Sequence, residues 1–135
     1  MKNEPFSIEK LSGDVRGAIY ELKAKDRLRV KFLTLLKGFA RGGHSHPYPE
    51  TFFMISGEVE FHLGTVEKEE KLTHYSGEIV HIPSGVPHYV IAISDSVFAE
   101  LALWDRQYAA ENYEPFRSIV TKSMSVNAGT KGRRL

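Results

Sequence analysis

The sequence predicts an all-β chain that closes into one small barrel or sandwich. Three observations carry that reading. Short runs rich in Val, Ile, Leu, Phe, Tyr and Thr recur along the chain, each bounded by Gly, Pro, Ser or Asp. Val59, Phe61 and Leu63 alternate with Glu60 and His62, the two-residue period of a half-buried strand. The 135 residues are 41% hydrophobic, which suffices for one core.

Taken in order, residues 1–12 read as an arm or edge strand with Phe6, Ile8 and Leu11 as anchors. Residues 13–17 are a turn and 18–22 an extended run. Residues 28–36 are rich in branched and aromatic side chains and read as a strand. Its end is apolar on both faces, so both are expected to be covered, one of them by a second subunit in a homodimer. Residues 51–56 and 59–63 flank Gly57-Glu58 as a hairpin-like pair. A charged connection at 65–71 follows, then short strands at 72–75, 79–82, 89–93 and 97–104. Residues 108–113 fit a short helix stopped near Pro115. The expected organisation is an arm at 1–12, a barrel at 13–105, an extension at 106–122 and a disordered tail at 123–135.

Composition excludes several classes of function. A net charge of +1 leaves no electrostatic footprint for nucleic acid. The chain has no cysteine, hence no disulfide, no thiolate ligand and no cysteine nucleophile. The amino terminus lacks the apolar core of a secretory signal, and no apolar run approaches the roughly 20 residues that span a bilayer. A cytoplasmic location and a small-molecule partner are the expectations.

The chemistry concentrates between Gly38 and Gly57. His44 and His46 are two residues apart, so an extended strand points both to one face. Pro47 and Pro49 turn the chain, and Glu50 opens the next apolar run, from which it can swing back toward the imidazoles. A second Gly- and Pro-rich stretch, 77–88, brings His88. His44, His46, Glu50 and His88 form the expected ligand set. Imidazole and carboxylate without thiolate suit zinc, iron, manganese or nickel, and copper as well. Strand parity places Phe52 and Met54 on the face of Glu50, as core residues first and substrate walls second. Glu100 is an acid in an otherwise apolar run: a solvent or interface salt bridge is one reading, a buried general acid/base the other. Tyr48 sits in the ligand loop and is the tyrosine singled out as a proton donor. His62 and His81 are expected to face solvent or a subunit contact, and His74 lies in a polar strand.

The two stretches resemble the two sequence motifs of the cupin superfamily. Gly38, His44, His46, Glu50 and Gly57 match every signature position of the first. Gly77, Pro83, Gly85 and His88 match the second, and the asparagine that often follows is Ala92 here, at a position that is not a ligand. The resemblance implies a single-domain cupin β-barrel, a double-stranded β-helix or jelly roll. It says little about reaction, since folds of this kind host many chemistries. A further stretch narrows the substrate. Asp14-Val15-Arg16-Gly17 with Ile19-Tyr20-Glu21, and Arg41-Gly42-Gly43-His44, are similar to segments of deoxysugar-nucleotide epimerases and ketoisomerases. That resemblance implies a phosphate contact for Arg41 and proton transfer for His44. Those enzymes generally lack the full ligand set, and a metal-bound histidine is not a free base. The plain alternative is a local Asp14–Arg16 ion pair and a surface Arg41. The expectation is a metal-dependent isomerase or epimerase acting on a sugar or sugar-acid derivative. An iron-dependent dioxygenase and a non-catalytic small-ligand binding protein stand as alternatives.

Overall fold

Apolar residues at every second position drive the chain into strands, and the faces they create pair off across one interior. The computed structural model describes residues 6–24, 29–102 and 110–126. In order these form β1 (Phe6–Asp14), β2 (Gly17–Ala24), β3 (Arg29–Leu35), β4 (Ala40–Ser45), β5 (Glu50–Ser56), β6 (Glu58–Thr65), β7 (Lys68–Tyr75), β8 (Ile79–Ile82), β9 (His88–Ala92), β10 (Ser96–Ala102), β11 (Glu111–Asn112) and α1 (Glu114–Val126). One antiparallel sheet has the order β1-β2-β3-β10-β5-β8 and the other β11-β4-β9-β6-β7. The core lies between them. Phe52, Met54, Phe98 and Val80 from the first sheet meet Val59, Phe61, Val90 and Ala92 from the second. The expected all-β jelly-roll architecture is what the chain adopts.

Four local expectations are overturned. Residues 51–56 and 59–63 do not form a hairpin, because β5 pairs with β8 and β10 while β6 pairs with β7 and β9. Gly57 carries the chain from one sheet to the other at φ 87°, where an added Cβ would lie 2.5 Å from the Asp95 carbonyl oxygen. The glycine looked like a hairpin turn because both roles need a positive φ. The charged connection at 65–71 is mostly strand: β7 zips onto β6 from Glu58↔Tyr75 to Thr65↔Lys68. Its charges are those of a sheet edge, where Lys and Glu discourage further pairing. Phe6, Ile8 and Leu11 are not anchors, being 54%, 68% and 44% exposed. Their strand pairs only with β2, and nothing among the described residues covers it.

The fourth correction concerns the helix. Pro115 starts it rather than stopping it, since proline suits the first turn, where its missing N–H costs nothing. Residues 111–112 of the expected helix form β11, and 108–109 lie outside the described residues. α1 continues to Val126, into the segment expected to be a disordered tail, because Phe116, Val120 and Ser123 share one buried face. That face packs on Ala40 and Tyr89. The Ala40 amide donates to Ser123 Oγ at 3.0 Å, and that hydroxyl donates to the Val120 carbonyl at 2.7 Å. Residues 127–135, like Trp104, lie outside the described residues. Among the described residues no helix is long and apolar enough to cross a membrane.

Candidate metal centre

His44 and His88 face each other as a cross-strand pair of β4 and β9. His46 lies just past the end of β4, and Glu50 opens β5 in the opposite sheet. The turn through the exposed Pro47 and Pro49 thus folds the carboxylate back over the imidazoles. The rings of His44 lie 4.6 Å from His46 and 5.2 Å from His88, centre to centre. One donor atom from each of His44, His46 and His88 falls within 4.8 Å of the others. Glu50 Oε1 is 3.0 Å from His88 Nε2 and 3.4 Å from His46 Nε2. The four residues named from the sequence are therefore brought together.

The donor set fits a divalent ion. Ligands bonded at about 2.1 Å are about 3.0 Å apart when adjacent around an octahedral ion, and the His88–Glu50 spacing is of that size. Glu50 is 6% exposed, yet its Oε1 makes no well-directed hydrogen bond. A buried anionic oxygen without a donor is costly, and a cation among these nitrogens would satisfy it. His88 Nδ1 donates to the Val86 carbonyl at 3.0 Å, which in the neutral ring leaves Nε2 as the lone-pair atom on the side of Glu50. Tyr48 stacks on His46 with ring centres 5.0 Å apart.

The electrostatics favour the metal-binding form at His44, His46 and Glu50, and the protonated form at His88. Burial first, then the neighbouring His88 and His46, push His44 down to about 4. His46 is also lowered, by burial and by His88 and Lys31, against the pull of Glu50. Burial works to raise Glu50, but the three imidazoles outweigh it and hold the carboxyl below its usual value. His88 is raised: burial opposes protonation, and Glu50 overcomes it.

Glu100 is half-buried and turned inward. It stands on the inner face of β10, beside Lys31 of β3 and Phe52 of β5, and its carboxyl hydrogen-bonds with Glu50. Burial and then the Glu50 charge raise it to about 7, while Lys31 pulls the other way. Phe52 and Met54 share the Glu50 face but are packed into the core, at 6% and 0% exposure. Arg41 is no surface residue. It is buried on the inner face of β4, opposite Val90, and its Nε and Nη2 make no hydrogen bond. Nη2 approaches Asp14 Oδ1 at 3.8 Å, and burial, then Arg16, lower its pKa to about 10. Asp14 and Arg16 form the expected local pair, with Arg16 Nη2 donating to Asp14 Oδ2 at 2.7 Å.

His62 was missed. The strand alternation turns it away from the core, but that side is covered: its ring stacks on Tyr89 at 4.3 Å, and Tyr89 packs against Phe116 of α1. Its nitrogens contact Glu60, at 2.7 Å, and Glu69. No signal for this existed once the helix had been placed elsewhere. His81 is exposed beside Thr51, as expected, and His74 is half-buried against Phe61 and Glu78. Lys31 had a readable signal, since it shares a strand face with Leu33 and Leu35.

Residues 31–104 match the family model for the cupin domain. No curated protein sequence matches the chain. Among solved structures it is similar to CapF, a capsular polysaccharide assembling protein from Staphylococcus aureus, at 23% identity and TM-score 0.62, over 83% of this chain and 32% of that one. CapF with the inhibitor 3-isopropenyl-tropolone gives 25% identity and TM-score 0.59, over 73% and 31%. Oxalate decarboxylase from Bacillus subtilis, a protein with Mn(II) centres, gives 20% identity and TM-score 0.65, over 90% and 34%. The chain thus spans about a third of the length of these relatives.

Proposed function

The chain belongs to the cupin family, and from that premise we propose a metal-dependent isomerase or epimerase acting on a sugar or sugar-acid derivative. His44, His46, His88 and Glu50 hold a divalent ion, and Glu100 moves the proton. The observation that carries the reading is the place of Glu100, an inward-facing acid within hydrogen-bonding reach of the ligand Glu50. A divalent ion in this site supplies Lewis-acid polarisation of a substrate carbonyl. Glu100, as carboxylate, takes the proton from the hydroxyl-bearing carbon beside that carbonyl and returns it to the former carbonyl carbon, while the hydroxyl proton passes to the former carbonyl oxygen, which moves the carbonyl by one position. In the epimerase variant the proton returns to the opposite face of the same carbon, and Tyr48 is the donor from the other side. Arg41 offers two nitrogens without a hydrogen bond, Nε and Nη2, to an anionic substituent.

The test is solvent exchange. Protein loaded with manganese, zinc, nickel or iron is incubated in heavy water with a panel of aldoses, ketoses and uronic acids, and deuterium at carbon is read by NMR. Exchange is expected with at least one class of sugar. Glu100→Gln should lower it by roughly 10²–10⁴-fold with metal content unchanged. Full metal loading without exchange in any sugar overturns the assignment, and oxygen uptake by the iron form would favour the dioxygenase.

We further propose that the working unit is a homodimer joined through the outer face of the first sheet. α1 covers the second sheet, whereas Phe53, Ile55, Ile79 and Leu101 are 37–55% exposed on strands of the first. A shared apolar face of this kind marks an interaction site. Sedimentation equilibrium should give the mass of two chains, and Phe53→Asp with Ile79→Asp the mass of one; a monomeric wild type would refute the assignment.

A further inference from the structure

We infer that Arg117 of α1 is a positioning residue of the metal centre, holding the Gly42–Gly43 bulge that turns His44 inward. The inference rests on the metal-binding reading above. The bulge decides which way His44 points. β4 and β9 pair as Ala40↔Ile91, Arg41↔Val90 and Gly42↔Tyr89, and the next pair is His44↔His88. Gly43 is thus the extra residue. Arg41 and Val90 face the interior, so regular alternation would turn Gly43 inward and His44 out. One inserted residue flips that parity. Without it, His44 would stand on the outer face beneath α1, and the cluster would lose a donor.

The bulge has an unusual backbone and an external support. Gly42 and Gly43 have φ of 103° and 85°, conformations that residues with a Cβ rarely adopt. Arg117 Nη1 donates to the Gly42 carbonyl at 2.9 Å, and the Tyr113 amide donates to the Gly43 carbonyl at 2.9 Å. The carbonyls of both bulge residues are therefore held by the carboxy-terminal segment. Gly43 lies flush against the helix: an added Cβ would sit 2.6 Å from Arg117 Cα and 2.8 Å from its backbone nitrogen. Just beyond, Asn112 of β11 pairs with His44 itself. The helix supplies none of the four candidate ligands, yet it grips the backbone that aims one. Of these contacts only the Arg117 guanidinium can be removed without altering the helix backbone or its apolar face of Phe116 and Val120.

The experiment titrates manganese(II) into full-length wild type, Arg117→Ala, Arg117→Lys and Val120→Ala. It reads affinity by calorimetry, the manganese EPR spectrum, and the melting temperature of each metal-free protein. Val120 is buried in the helix contact, so its variant weakens docking without touching the bulge. Arg117→Ala is expected to weaken binding about 10–100-fold, the range for residues that orient ligands, and to change the spectrum. Its metal-free melting temperature should fall less than that of Val120→Ala, whose affinity should change little, and Arg117→Lys should recover part of the loss. Wild-type affinity and spectrum in Arg117→Ala overturn the inference alone. So does an affinity loss that Val120→Ala reproduces in proportion to its lost stability. A wild type that takes up no manganese or other divalent ion overturns both the inference and the metal reading beneath it.

Discussion

The His88→Ala protein is expected to purify without stoichiometric metal and to gain almost nothing in thermal stability when metal is added back. His88 is 4% exposed, and its Nδ1 is committed to the Val86 carbonyl, so its ring is fixed with Nε2 3.0 Å from Glu50 Oε1. Alanine removes one of four donors and leaves a space that water fills without a covalent tether. Residues that merely orient ligands change affinity by about 10–100-fold, so the loss of a ligand should be at least about 100-fold. Stability turns this into a second readout. At a metal concentration of about 100 times the wild-type dissociation constant, the wild type gains about 2.7 kcal/mol, and a variant weakened 100-fold gains about 0.4 kcal/mol. Calorimetric titration, with melting curves in chelator and in metal, measures both. Unchanged affinity in the variant would remove His88 from the ligand set and leave a three-residue centre.

How much of this was legible follows from what each signal encodes. The clustering of His44, His46 and Glu50 was readable because its geometry is local: a two-residue spacing, a proline turn and a carboxylate bring three candidate donors together within seven residues. The jelly-roll class was readable from short strands and punctuating glycines. Pairing partners were not. Gly57 needs a positive φ whether the chain reverses within a sheet or crosses between two, so the residue identifies the backbone state and leaves the path open. Pro115 is as good a start for a helix as a stop, so proline alone leaves the side on which α1 lies undecided. The misreading of His62 followed, since its burial depends on a helix more than 50 residues further along. Arg41 and Glu100 were seen as candidates, but their burial depends on how two sheets face each other, and strand parity alone does not supply that.

The Phe61→Ala substitution should unfold much of the margin that holds the barrel while leaving the ligands in place. Phe61 has no exposed surface and sits at the crossing of the two sheets, with ring centres 5.4 Å from Phe52, 6.5 Å from Phe98 and 6.0 Å from His74. Its neighbours across the strands are Leu72 and Val90. Truncation removes buried apolar area and leaves a void that rigid β-strands cannot close, at about 3–5 kcal/mol. Domains of this size are stable by about 5–15 kcal/mol, so about a fifth or more of the margin is at stake. Urea unfolding in chelator should show a lower midpoint with an unchanged slope. A loss under about 1 kcal/mol would mean the aromatic cluster is not the shared core of the two sheets. The comparison with His88→Ala separates fold from site. Phe61→Ala should lose metal-free stability yet still gain from added metal, because Glu50 and the histidines are held by strand ends and turns above the cluster. His88→Ala should keep most of its metal-free stability and lose the gain. If Phe61→Ala lost the metal response as well, the centre would depend on core packing through Phe52, which shares a strand face with Glu50.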